Sequence, residues 1–121
     1  MSEHVNFDFS RMARTGIPEV IYAEGKEKAS VLKLLENFAL EAEKPILFTR
    51  LDSITFSQLD PQLQSKYCFD SLAKTAYTNK IAKKVEGRVA VVSAGTSDGF
   101  VTWEAKRTLD YLNVENQVFE D

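Results

Sequence analysis

Histidine, cysteine and tryptophan occur once each in 121 residues, and these scarcities remove several chemistries at the outset. The one histidine, His4, sits in a polar leader and reads as a tail residue. It argues against a Ser-His-Asp triad or a histidine-rich metal site. A single cysteine leaves no intramolecular disulfide and no CxxC zinc or redox pair, as expected in a reducing cytoplasm. Long apolar runs are missing too, since stretches such as Ala90-Val91-Val92 fall far short of the roughly 20 residues a membrane span needs. The opening Met1-Ser2-Glu3-His4 has neither a basic nor an apolar stretch, so no signal peptide is expected there. Nor is positive charge in excess: 15 basic against 18 acidic side chains give −3, which argues against nucleic acid as the default partner. What is present, at 44% hydrophobic residues, is enough for a folded core. A small soluble cytoplasmic chain follows, with neither membrane nor nucleic acid as partner.

The charge is unevenly spread. Residues 1–85 carry 12 basic and 11 acidic side chains, whereas residues 86–121 carry 3 and 7. The shift at Glu86-Gly87 suggests two parts, a first module over 1–85 and a second over 86–121. In the first, Pro18 disfavours helix at Ile17, and Val20-Ile21-Tyr22 favours strand, so the stretch from Gly16 is expected to be extended. Residues 26–43 then place Val31, Leu34, Leu35, Phe38, Ala39 and Ala42 at helical spacing. Pro45 stops that helix, and Ile46-Leu47-Phe48-Thr49 reads as a short buried strand. Ile54, Leu59 and Leu63 hint at a short helix broken by Pro61, Tyr67-Cys68-Phe69 suits a strand, and residues 71–85 take no assignment. In the second part, Arg88-Val89-Ala90-Val91-Val92-Ser93 reads as a strand buried on both faces. A small-residue turn follows, then a helix with Val101, Ala105, Leu109 and Leu112 on one stripe. A further strand begins at Gln117-Val118-Phe119. The order is β-α-β, which predicts a parallel pair, and the fold class is α/β.

Two stretches carry possible chemistry. Gly95-Thr96-Ser97-Asp98 follows a strand and opens a helix. Gly95 permits close backbone approach, and the amides and hydroxyls of Thr96 and Ser97 could hold a phosphate at the positive end of the helix dipole. Asp98 could accept from a ribose hydroxyl or help hold Mg²⁺ near the phosphates. Ordinary capping by Ser97 or Asp98 explains the same residues, because the turn is neither a Walker A nor a GxGxxG. Arg11 and Arg14, three apart, could grip a carboxylate or phosphate, or could simply be solvated charge. Glu19 suits a general acid or base, although a carboxylate after proline commonly lies at a turn surface. Cys68, between Tyr67 and Phe69, reads as a buried structural thiol, and Trp103 as packing surface.

Taken together, the segments are specific. Asp8-x-x-Arg11-x-x-Arg14-x-Gly16-x-Pro18-Glu19-Val20-Ile21-Tyr22-x-x-Gly25-Lys26 resembles the N-terminal signature of the LarB family, and Thr49-Arg50 suits the same pattern. Val89-Ala90-Val91-Val92-x-Ala94-Gly95-Thr96-Ser97-Asp98 resembles the start of that family's C-terminal domain, which is similar to aminoimidazole ribonucleotide carboxylases. The resemblance implies a small N-terminal α/β module followed by the first β-α-β unit of a truncated parallel-sheet domain. It also implies part of a nickel-pincer cofactor biosynthesis enzyme. Such enzymes carboxylate the pyridinium ring of nicotinic acid adenine dinucleotide at C5 and hydrolyse its phosphoanhydride, releasing AMP. Carbon dioxide or bicarbonate would be the co-substrate, with no covalently bound cofactor. Gly95, Thr96, Ser97, Asp98 and Glu104 would meet the nucleotide, and the family's cysteine nucleophile would lie beyond Asp121. Phe100 and Trp103 depart from the family's usual Pro-Val-Ala-Glu-Glu-Ala. On this basis the isolated chain is expected to lack carboxylase activity and to form homo-oligomers. The alternatives are a purine-pathway carboxylase or mutase, or a non-catalytic nucleotide-binding or assembly module.

Overall fold

In a computed structural model, residues 19–94 and 99–120 are described. They form two sheets joined by one helix. The first sheet contains β1 (Val20–Tyr22), β2 (Leu47–Thr49), β3 (Cys68–Asp70) and β4 (Thr75–Tyr77), in the order β1-β2-β4-β3. β1 and β2 run parallel and are connected through helix α1 (Lys28–Ala39), as parallel neighbours must be joined by a crossover. β4 returns antiparallel between β2 and β3. The turn into α1 depends on Gly25, whose φ of 84° lies in the left-handed region, while Lys26 N–H donates to the Ala23 carbonyl at 3.2 Å.

The helix expected from the 3.6-residue spacing is present. Val31, Leu34, Leu35, Phe38 and Ala39 are its buried residues, while Ala42 falls beyond its end. They pack on Phe48 of β2 and on a chain of aromatic rings. Phe38 meets Phe48 edge-on at 6.1 Å, Phe48 meets Tyr67 at 5.9 Å, Tyr67 meets Phe56 at 6.0 Å, and Phe56 stacks on Phe69 at 4.2 Å. Edge-on and offset contacts suit the quadrupole of each ring. Burial raises the pKa of the Tyr67 hydroxyl, which donates to the Leu35 carbonyl at 2.6 Å. The ring thereby ties the residue before β3 to α1 without leaving a buried donor unpaired.

Pro61 does not break a helix. It opens one. Two short helices, α2 (Ser53–Ser57) and α3 (Pro61–Gln64), occupy the ambiguous stretch, each started by an aspartate cap. Asp52 accepts from Thr55 N–H at 2.7 Å and Asp60 from Gln62 N–H at 2.9 Å. Proline at the first helical position is favoured because its missing N–H has no intrahelical partner there anyway. β4 lies inside residues 71–85, where the sequence suggested nothing. Its three residues are all buried, and its strand character comes from lying between β2 and β3.

The second sheet pairs β5 (Val85–Ser93) with β6 (Val114–Glu120) in parallel, connected through α4 (Gly99–Tyr111). The β-α-β order is therefore as expected. β5 begins earlier than Arg88, with Glu86 and Gly87 bulged between the Val85–Val114 and Arg88–Glu115 pairs and Gly87 at φ 104°. Asn113, at φ 62°, ends α4 in the left-handed conformation common just past a helix. Burial on both faces of β5 is not found: Val89 is 39% and Val92 74% exposed. The reason is the seating of α4. It spans both sheets, and its fully buried residue, Tyr111, packs with Leu47 and Tyr77 of the first sheet rather than on β5.

The Asp52 cap generates a pH-dependent prediction. The Thr55 amide holds the Asp52 carboxyl below the usual 3.8. A carboxylate with a depressed pKa in the folded chain contributes its full stability above the unfolded value and loses it as pH falls through the folded one. Asp52→Ala is expected to lower stability by about 1 kcal/mol at neutral pH. The deficit should shrink as the pH falls below 3.8. Urea melts across that range check both.

Candidate functional site

The sequence marked two groups of residues, and only some fall within the described structure. Arg11, Arg14, Gly16 and Pro18, and all of Gly95, Thr96, Ser97 and Asp98, lie outside it. Glu19, Tyr22, Gly25, Lys26 and Glu104 lie within. Glu19 immediately precedes β1. Its backbone carbonyl accepts from Leu47 N–H at 3.3 Å and from the Tyr111 hydroxyl at 3.1 Å. Its Oε1 is buried, with no hydrogen-bond partner among the described residues. Lys26 is exposed at the turn that Gly25 makes.

Arg50 is the residue on which the site converges. It follows β2 directly and adopts φ 57°, a left-handed conformation unusual for a long side chain. Its Nε donates to Glu104 Oε2 at 2.8 Å, and Nη2 donates to Oε1 at 3.4 Å. Nη1 donates to Glu24 Oε1 at 3.1 Å. The guanidinium also lies 5.6 Å from the Tyr22 ring centre and 4.9 Å from that of Phe100. The hydrogen bonds to Glu104, and then to Glu24, raise its pKa further above its already high value. With side-chain exposures of 27% and 18%, the Arg50–Glu104 pair is partly shielded from solvent, and a planar fork is the geometry guanidinium and carboxylate match best. Tyr22 of the N-terminal signature, and Glu24 at an unspecified position within it, are thereby brought to Glu104, which is 80 positions beyond Glu24.

A second cluster fixes the middle of α4. Arg107 donates from Nε to Thr75 Oγ1 at 3.0 Å and from Nη2 to the Cys68 carbonyl at 2.6 Å, and its guanidinium lies 4.7 Å from the Tyr77 ring centre. Its Nη1 approaches Cys68 Sγ at 3.4 Å. Cys68 is exposed, contrary to the buried thiol expected from its neighbours. The period of 2 explains the error: on β3 the inward residues are set by pairing with β4, and an apolar string cannot reveal which alternate members face out. Burial and the neighbouring Cys68 together raise the pKa of Tyr77.

Beside these groups, Tyr22, Thr49, Val91, Val92, Val101 and Glu104 line an open groove of about 690 Å³. No three His, Cys, Asp or Glu side chains among the described residues stand together as a metal site would require. Asp98, the residue suggested for Mg²⁺, is outside that set. Among the described residues, no helix is long and apolar enough to cross a membrane. Sequence reasoning attached no role to Arg50, Lys74, Phe100 or Arg107. The Thr49-Arg50 pair was the one available signal, since neither a left-handed φ nor a cross-chain ion pair has a local sequence signature. The exposed thiol makes a direct prediction: native Cys68 should react with Ellman's reagent at nearly the rate seen in denaturant, and strong protection would return it to the core.

A protein-family model for the LarB/PurE-like N-terminal domain matches residues 1–80. An uncharacterized protein of Methanocaldococcus jannaschii, MJ0165, is 32% identical over 122 residues, covering 95% of this chain and 47% of the relative. The chain therefore spans about half the length of that relative. β1 to β4, the turn at Gly25 and Arg50 all lie within the matched residues. By that match the chain belongs to the LarB/PurE-like N-terminal domain family.

Proposed function

We propose that this chain supplies the N-terminal domain, residues 1–85, and the first β-α-β unit, residues 86–121, of a LarB-type enzyme acting on nicotinic acid adenine dinucleotide. The observation that carries the reading is the Arg50–Glu104 fork. It joins the family-matched domain to the helix that in sequence follows Gly95-Thr96-Ser97-Asp98, and Tyr22 of the first motif lines one groove with residues 89–92 of the second. The turn follows the carboxyl end of β5, where ligands of parallel α/β sheets commonly sit. In this reading Thr96, Ser97 and the turn's amides hold the adenylate phosphate, and Asp98 accepts from a ribose hydroxyl. The complete reaction forms a bond from C5 of the pyridinium to carbon dioxide, with the C5 hydrogen leaving as a proton, and splits the phosphoanhydride with water, releasing AMP. The resemblance assigns the pyridinium-attacking cysteine to a downstream position. Cys68, on β3 with Arg107 against its sulfur, has no part in that step.

Isothermal titration with AMP and with the dinucleotide, alongside incubation with labelled bicarbonate and mass-spectrometric detection, tests the reading. Binding without carboxylated product is expected. Asp98→Ala should weaken binding by one to two decades, because losing a charge-assisted hydrogen bond costs roughly 1.5–3 kcal/mol. Unchanged affinity together with a less stable helix would make Asp98 a cap and nothing more. Turnover at an ordinary enzymatic rate would demand a different nucleophile.

The same reading includes self-association in the cytoplasm. Val92 at 74%, Val101 at 53% and Phe119 at 50% exposure leave apolar surface on and beside the parallel pair. Burying 200 Å² of such surface favours association by about 5 kcal/mol before the cost of association is subtracted. Sedimentation equilibrium at micromolar concentration should therefore give a mass above the monomer's. A clean monomer would refute it.

A further inference from the structure

Two residues of the first sheet share an unusual conformation and a common target. Arg50 follows β2 at φ 57°, and Lys74 precedes β4 at φ 54°. They adjoin the ends of neighbouring strands, where Leu51 N–H donates to the Lys74 carbonyl at 2.9 Å, so they flank the same end of the β2–β4 ladder. Both send a cation to one ring: Arg50 Cζ is 4.9 Å and Lys74 Nζ is 4.8 Å from the centre of Phe100. Phe100 is in the first turn of α4, and Glu104, one turn on, takes the Arg50 fork. Bringing two cations to one ring is unfavourable unless anions balance them, and Glu24 and Glu104 supply that balance. Left-handed backbone at a long side chain persists only where the surroundings over-determine it, and such positions cluster at functional sites.

Resting on the nucleotide reading above, we infer that Arg50 and Lys74 form a clamp on Phe100 and Glu104 through which the N-terminal domain sets the position of the first turn of α4 for nucleotide binding. Arg50 is then a positioning residue: it acts through Phe100 and Glu104. Phe100, which stands where the resembled family usually has proline, is the surface the clamp grips. The inference also explains why a glycine, the residue best suited to φ 57°, is absent from position 50: glycine would relieve the backbone but release the helix.

Arg50→Gly is the discriminating variant, because it removes backbone strain while deleting every clamp contact of that side chain. Phe100→Leu, which keeps apolar bulk but loses the ring face, is its companion. Both are compared with the wild-type chain by AMP titration, by thermal melting and by hydrogen–deuterium exchange of the amides in residues 99–104. The expected result is at least a tenfold loss of AMP affinity in Arg50→Gly with a melting temperature close to wild type. Phe100→Leu should show a smaller loss, and both variants faster exchange in the first turn of α4. A residue that only stabilised the fold would instead lower the melting temperature and leave the affinity of the folded fraction intact, which overturns the inference. If the wild-type chain does not bind AMP, the nucleotide reading fails separately. Exchange then decides the clamp: unchanged protection of residues 99–104 in Arg50→Gly removes it, and faster exchange retains it as a device that holds α4.

Discussion

The seating of α4 across the four-stranded sheet is the constraint on which the remaining arrangement depends. Tyr111, at the C-terminal end of the helix, is fully buried against Leu47 and Tyr77, and its hydroxyl reaches back to the Glu19 carbonyl at 3.1 Å. Burial raises its pKa, so the ring stays neutral and the hydroxyl remains a donor across the ordinary pH range. Arg107 holds the middle through Thr75 and Cys68, and Arg50 holds Glu104 near the N-terminal end. A helix fixed along its length by one sheet carries β5 and β6 with it. This is why the second sheet sits beside the first although few apolar residues of β5 are covered.

This division of the helix's attention accounts for the exposure of β5. α4 buries Thr102 near its start and Tyr111 at its end, and Val101 and Ala105 are left at the groove with Val91 and Val92. A parallel strand with apolar side chains on both faces normally has helices on both. In the described residues α4 is the one helix near β5, and its buried residue Tyr111 is committed elsewhere. Lys106, paired within α4 with Asp110 at 3.3 Å, donates to Asn116 of β6 at 3.2 Å, and Asn116 donates in turn to Asp110 at 2.8 Å, so polar contacts hold the register of the crossover where apolar ones are sparse.

What could be read from the sequence follows from how local each signal is. The α1 helix was legible because Val31, Leu34, Leu35 and Phe38 repeat at the helical period over three turns. β2 was legible as a short apolar run after Pro45, and the β5-α4-β6 order from alternating periods. β4 was not, since Thr75-Ala76-Tyr77 is a strand only because β2 and β3 flank it. Exposure of Cys68 and Val92 was missed for the same reason: which face of a strand is covered is decided by a partner distant in sequence. In the site, the motif residues Tyr22, Gly25 and Glu104 could be picked from pattern, whereas Arg50, Lys74 and Phe100 matter through backbone angles and distances that no spacing encodes. Pro61 was legible but misjudged, since its effect depends on whether it falls inside a helix or at its first position.

The two ends of α4 are held by different physics, and that difference bears on function. At Tyr111 the attachment is apolar burial, which salt does not screen. At Phe100 and Glu104 it is cation–ring contact and a partly exposed ion pair, both weakened as ionic strength rises and the Debye length shortens to about 8 Å at physiological salt. The firm anchor is therefore at the last turn of α4, and the adjustable one is at its first turn. Charge balance at the first turn of the helix thus ties α4 to the residue after β2, while apolar burial holds the Tyr111 end against Leu47 and Tyr77.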